Sequence, residues 1–181
     1  MDSQTIERYL QELGDELERR GFTVPVRLMI VGGAYMLLLV GNRLATEDVD
    51  IVLLDMPDTT HKTHETQAFI AAAKTVAKKN KLKQKWINDV VADFIRDMAP
   101  NPPLNFWKRY GKIEVYIPSQ EYILTPKLMT FRKKDVDDVQ ALLKSLNITT
   151  REQAFSIVDH FVTDKGYYDV YDLEDNLDAL F

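Results

Sequence analysis

A chain of 181 residues, 45% of them hydrophobic, is long enough to bury a core and has the composition of an ordinary globular protein. It contains no cysteine, which excludes disulfides, thiolate metal sites and cysteine nucleophiles. Its net charge of −5 argues against a protein that coats nucleic acid without regard to sequence.

Residues 4–20 are predicted to form a helix, because Ile6, Tyr9, Leu10, Leu13 and Leu17 recur at helical spacing and Gly21 can end it. The opening Met-Asp-Ser-Gln-Thr-Ile-Glu lacks the basic and apolar regions of a secretory leader. Pro25 precedes a strand over Val26–Val31, and a Gly32-Gly33 turn follows. Ala34–Val40 reads as a short buried helix ended by Gly41, far below the roughly 20 apolar residues that a membrane span requires. A cytoplasmic protein with no membrane partner is therefore expected. Asn42–Thr46 is a loop, Glu47–Leu54 a second strand, and the Pro57 region, Asp55–Thr60, another loop.

Thr63–Lys79 is predicted as an amphipathic helix with Phe69, Ile70, Ala73, Val76 and Ala77 inward, and Trp86–Met98 as a further helix. Pro100, Pro102 and Pro103 then enforce a loop, and Lys112–Ile117 alternates as a strand. Ser119 caps a helix running to about Arg132, with Pro126 disturbing its first turns. Asp135–Leu146 and a helix begun by Thr150 follow, and the acidic, aromatic-rich tail from Gly166 can form a last short helix. The order predicts an α/β (α+β) protein: a small mixed sheet packed by helices, with a helical C-terminal half. We expect one domain over 1–181, with a core at 26–117 and a helical part at 119–181.

The chemistry concentrates after the diglycine. Asp48 and Asp50 lie two apart on a predicted strand, so their side chains share a face about 6.6 Å apart along it. Two carboxylates so placed suit a shared divalent cation such as Mg²⁺. Gly32 and Gly33 allow backbone N–H groups to approach a phosphate. Cation and phosphate together indicate nucleotide chemistry.

Elsewhere the signals are weaker. Lys74, Lys78, Lys79, Lys81, Lys83 and Lys85 form a basic run that reads first as a solvated face, and alternatively as a seat for polynucleotide phosphates. His61, His64 and His160 are too scattered for a metal site. Trp86, Trp107 and Tyr110 fit packing better than base stacking.

Gly32-Gly33-x-x with Arg43, Thr46 and Asp48-x-Asp50 resembles the signature of the DNA polymerase beta-like nucleotidyltransferase superfamily. The likeness is nearest to its minimal bacterial members, including the abortive-infection (AbiE-type) toxins. A second matching stretch runs from Lys127 through Arg132 and Asp135 to Asp138, and Trp86-Ile-Asn-Asp89 is similar to a segment in some of them. The resemblance covers residues 26–146 and implies transfer of a nucleoside monophosphate from an NTP to a hydroxyl.

It implies that Asp48 and Asp50 hold Mg²⁺ (or Mn²⁺) and that Gly32 and Gly33 meet the β- and γ-phosphates. Arg43, Thr46 and Lys127 would assist binding, Arg43 and Thr46 alternatively serving the loop. Asp138 matches a catalytic aspartate of the toxin-like relatives, while Asp135 reads as an N-cap. A third carboxylate is expected, either Glu114 on the predicted strand Lys112–Ile117 or Asp89. The acceptor would be a tRNA, a protein or a small molecule, and a cognate antitoxin would be a partner. The alternatives are a catalytically incomplete module that binds nucleotide or a partner, and a polynucleotide binder using the lysine run.

Overall fold

The structure, a computed structural model, describes residues 1–181. It is an α/β protein with nine α-helices and one five-stranded mixed sheet, its C-terminal half helical. The chain divides into two compact units, one of residues 1–92 and 104–117, the other of 93–103 and 118–181.

The first unit opens with helix α1 (Ser3–Arg19), whose Asp2 carboxylate accepts the Thr5 N–H at 2.8 Å and so satisfies a free amide of the first turn. Its predicted stripe is realised: Ile6, Leu10, Leu13 and Leu17 are fully buried. Strand β1 (Val26–Ile30) leads into α2 (Gly32–Tyr35), which continues as a π-helical turn over Met36–Val40. The helical segment thus begins at the diglycine itself. Strand β2 (Val49–Leu53) returns antiparallel to β1, with Leu28 opposite Leu53 and Ile30 opposite Ile51. Helix α3 (His64–Asn80) starts from a reciprocal cap between Thr63 and Thr66 and packs on α1.

The predicted helix over Trp86–Met98 is corrected in its first half. Ile87 and Asn88 form strand β3, parallel to β2, with Val49 opposite Ile87 and Asp50 opposite Asn88. Only Ala92–Met98 is helical (α4). The Val49 amide donates to the Trp86 carbonyl at 2.7 Å, the indole N–H donates to the Ala73 carbonyl at 3.1 Å, and the ring meets Tyr9 edge-on. Those long-range bonds outweigh the helical spacing of Trp86, Val90 and Val91.

Leu104–Tyr110, for which no element was predicted, is strand β4, joined through Gly111 to β5 (Ile113–Pro118). The sheet order is β3-β2-β1-β5-β4, with β5 parallel to β1.

The second unit contains α5 (Gln120–Thr130), α6 (Val136–Ser145), α7 (Arg151–Phe161) and two short helices, α8 (Gly166–Val170) and α9 (Leu173–Asp178). Pro126 lies inside α5 without breaking it. Lys127 joins α5 to the start of α6. Its ammonium donates to Asp135 at 2.9 Å and to Asp138 at 2.7 Å, and Asp135 also accepts from Arg132 at 2.6 Å. The Lys127, Asp135 and Asp138 side chains are 6%, 4% and 1% exposed.

A buried ion pair is a poor net stabiliser, but removing one member strands the others. Lys127→Ala removes the ammonium shared by two buried carboxylates, of which Asp135 keeps Arg132, so a loss of about 3–5 kcal/mol is expected by urea denaturation. Burial pushes the Asp135 carboxyl up; Lys127 and Arg132 outweigh it and hold the group below its usual value of 3.8. A depressed carboxyl stabilises the fold fully above its unfolded value, and that contribution is lost as pH falls through the folded value. Asp135→Asn should therefore lose less stability than the wild type between about pH 5 and pH 2. Equal slopes in urea titrations across that range would contradict this.

Candidate functional site

Val31 donates its amide to the Asp50 carbonyl at 3.0 Å, which sets Asp50 level with the end of β1, where α2 begins. Gly32 has φ +60°, a conformation glycine adopts without strain. A Cβ there would lie 2.4 Å from Asp50 Oδ2, so the carboxylate rests directly on the glycine backbone. A Cβ on Gly33 would lie 2.9 Å from Thr46 Oγ1 and 3.3 Å from an Arg43 guanidinium nitrogen. The diglycine, Arg43, Thr46 and Asp50 are thus brought together. Thr46 donates its hydroxyl to the Asp48 carbonyl at 3.2 Å, and its amide donates to the Met1 carbonyl at 2.9 Å; both bonds brace the loop before β2.

Asp48 and Asp50 are half-buried and line one cleft of about 290 Å³. Glu47, Lys83 and Lys85 supply its other charges. Asn88 lies beside Asp50, and Val90 and Val91 form an apolar side. Lys83 Nζ bridges Glu47 at 2.6 Å, which holds the Glu47 carboxyl below its ordinary range and raises the lysine. With that pair offsetting itself, the cleft is left with Asp48, Asp50 and Lys85.

The donors fit a small hard cation: oxygen ligands with no histidine or thiolate. No group of three or more His, Cys, Asp or Glu able to hold a metal is present; the acid that shares the cleft with the two aspartates, Glu47, is paired with Lys83.

The positions of the expected third acids explain this. Glu114 pairs in register with Arg27, whereas Asp50 is level with Val31. Four residues of β1 separate those levels, about 13 Å along the strand, and two strand spacings, about 10 Å, separate β2 from β5. Glu114 instead pairs with Arg109 at 3.7 Å and accepts from the Tyr116 hydroxyl at 3.4 Å. Asp89 is buried and pins the preceding loop, accepting the Thr59 amide at 2.6 Å and hydroxyl at 2.5 Å.

Lys127 and Asp138 belong to the second unit, where they hold each other in the buried cluster. Asp135 occupies the N-cap position of α6, but its carboxylate makes no cap bond and turns to Lys127 and Arg132. Trp86 and Tyr110 are core residues, and Trp107 carries the Lys108 ammonium 4.7 Å from its ring centre.

Sequence reasoning missed Lys83, Lys85 and Asn88 as members of this cleft. The lysines were visible only as part of a basic run; Asn88 was hidden by the helical reading of its segment.

No family model, curated protein or solved structure matches the chain.

Proposed function

We propose that this cleft is the site of a metal-dependent nucleotidyltransferase that moves a nucleoside monophosphate from an NTP to a hydroxyl acceptor. One observation carries the reading: two aspartates open into a single cleft, one of them seated on a diglycine backbone, with lysines on the facing segment. Asp48 and Asp50 would hold Mg²⁺ or Mn²⁺, which when bound offsets triphosphate charge and favours the ionised acceptor hydroxyl. Lys85 would meet phosphate oxygens, and Val90, 71% exposed, offers an apolar surface to the nucleoside. The acceptor oxygen forms a bond to the α-phosphorus, the bond to the β-bridging oxygen breaks, pyrophosphate departs and the hydroxyl proton passes to solvent. RNA such as tRNA, a protein or a small molecule would serve as acceptor. In the toxin-like form of this reading, a cognate antitoxin would restrain the activity.

That no group of three or more acids or histidines in the chain could hold a metal favours a second reading, a module of the same fold that binds nucleotide or a partner without turnover. Incubation with each of four α-labelled NTPs, Mg²⁺ or Mn²⁺, and total RNA or lysate separates the two. Transfer of label from at least one NTP, lost in the Asp48→Ala/Asp50→Ala variant, is the expected result. Binding of an NTP by calorimetry without any transfer would leave only the binding module. No helix is long and apolar enough to cross a membrane.

A further inference from the structure

The second unit contains a groove of about 540 Å³ between the start of α5 and the last turns of α7, inside the range of roughly 300–1,000 Å³ typical of small-molecule sites. Ile157 and Phe161 give it an apolar wall, and Ser119, Glu121, Ser156 and His160 supply its polar groups. On α7, Ser156 and His160 lie one turn apart, as do Ile157 and Phe161, so each pair shares a face of the helix. The wall is fixed from behind: the Phe161 ring meets buried Tyr122 edge-on with ring centres 5.4 Å apart, and the Tyr122 hydroxyl donates to the Ala99 carbonyl at 2.7 Å.

What the polar groups leave free is chiefly the capacity to accept. Ser156 Oγ donates its proton to the Glu152 carbonyl at 2.8 Å and keeps its lone pairs; Ser119 Oγ accepts the Tyr122 amide at 3.3 Å and keeps a second. The Glu121 carboxylate has no ion-pair or hydrogen-bond partner in the chain, and the His160 ring meets only Phe161. The groove is therefore rich in acceptors and carries one uncompensated negative charge. The open amides at the start of α5 would favour an anion, but Glu121 stands in that same first turn, and Phe161 lies at the opposite, negative end of α7.

We propose that this groove binds a small organic amine, an ammonium group carried on an apolar body. An ammonium has three donors and no acceptor, the complement of what the groove leaves free. It donates to Glu121 and Ser156, while the body lies on Ile157 and Phe161. Because a hydrogen bond between two charged groups is about twice as strong as one between neutral groups, the Glu121 carboxylate sets the preference for the charged ligand. The aspartate cleft is lined by residues of the first unit alone, so this site stands apart from it and does not rest on the nucleotidyltransferase reading.

The test titrates the full chain at neutral pH with three ligands of one size, followed by amide-resolved NMR. Phenethylamine should shift the amides of residues 119–122 and 156–161, with a dissociation constant at or below about 1 mM. Phenethyl alcohol, which lacks the charge, should bind at least about tenfold more weakly, and phenylpropanoate, which reverses it, more weakly still. Glu121→Gln keeps the length of the side chain and should weaken the amine by about tenfold while leaving the alcohol unchanged. Ile157→Ser should weaken amine and alcohol alike, because both place the same body on the wall. Unshifted amides outside the groove would verify that each variant is folded.

Equal affinity for amine and alcohol, or tighter binding of the acid, would overturn the assignment. So would a folded Glu121→Gln protein that keeps its affinity for the amine, or an Ile157→Ser protein that weakens neither ligand. Amine shifts confined to other parts of the chain, or none up to about 10 mM, would overturn it as well. No NTP or metal enters these titrations, so their failure leaves the label-transfer result untouched.

Discussion

On the proposed nucleotidyltransferase reading, Asp50→Asn is expected to lower nucleotidyl transfer by at least about a thousandfold while leaving the thermal midpoint within a few degrees of wild type. The two halves of that expectation come from different parts of the same side chain. Asparagine is nearly isosteric with aspartate, so it can occupy the space above Gly32, where a Cβ would lie 2.4 Å from the Asp50 oxygen. The backbone carbonyl that accepts the Val31 amide is untouched, and the strand register with Asn88 is kept. The substitution removes the negative charge and keeps the size of the side chain. On the proposed reading, Asp50 is one of two carboxylates that would hold the cation, so the substitution removes half of that pair's charge. Asp48→Asn should behave alike, and the double variant should be little worse than either single one, because ligands acting as one unit are not additive. The measurement is label transfer from the preferred NTP under excess enzyme. A single variant that keeps more than about a tenth of wild-type transfer would remove the aspartate pair from the chemistry.

The diglycine was legible because its chemistry is local: two glycines before a helical run mark a close approach of backbone. The strand expected over Glu47–Leu54 begins only at Val49, so Asp48 precedes β2 and the two aspartates are not an i, i+2 pair within it. α1, α3 and α6 were legible for a related reason: their apolar residues recur at the helical period, and most of those residues are buried, with Ile70, Val136 and Leu146 partly exposed.

What was not legible depends on strand order. Ile87-Asn88 is too short to show any alternation, and Trp86, Val90, Val91 and Ile95 mimic a helix face; its parallel pairing with β2, with the bond from Val49 to the Trp86 carbonyl, makes the segment a strand. β4 exposes Asn105, Phe106, Lys108 and Arg109 at the edge of the sheet, so its sequence carries no inside–outside pattern. Glu114 was correctly placed on a strand, but which end of the sheet that strand presents to Asp50 is a register question that no local pattern answers. Lys127 and Asp138 were readable as a spaced pair; that they neutralise each other depends on the left-handed residue Phe131 turning α5 back toward α6.

The largest loss of stability from adding a single methyl group is expected at Gly14. It lies in the middle of α1, where glycine costs about 1 kcal/mol relative to alanine, so helix propensity alone would make Gly14→Ala stabilising. Packing reverses the sign. A Cβ on Gly14 would lie 1.8 Å from the Tyr110 carbonyl oxygen, 2.8 Å from its carbon and 3.0 Å from the Lys112 nitrogen. All three are backbone atoms, so no rotamer change relieves the overlap. The helix and the β4–β5 turn approach this closely because the Lys112 amide donates to the Gly14 carbonyl at 3.3 Å. Relief requires α1 to lift away from that turn, and the same helix buries Ile6, Leu10, Leu13 and Leu17 completely. Overpacking of a side chain costs about 1–3 kcal/mol; a clash against backbone that displaces a core helix belongs at the top of that range or beyond it, and easily exceeds the propensity gain. Gly14→Ala should therefore lower stability by about 3 kcal/mol or more in urea denaturation, while Glu18→Ala, exposed on the same helix, stays within about 0.5 kcal/mol. A Gly14→Ala protein as stable as wild type would mean that α1 does not cross the β4–β5 turn at this residue.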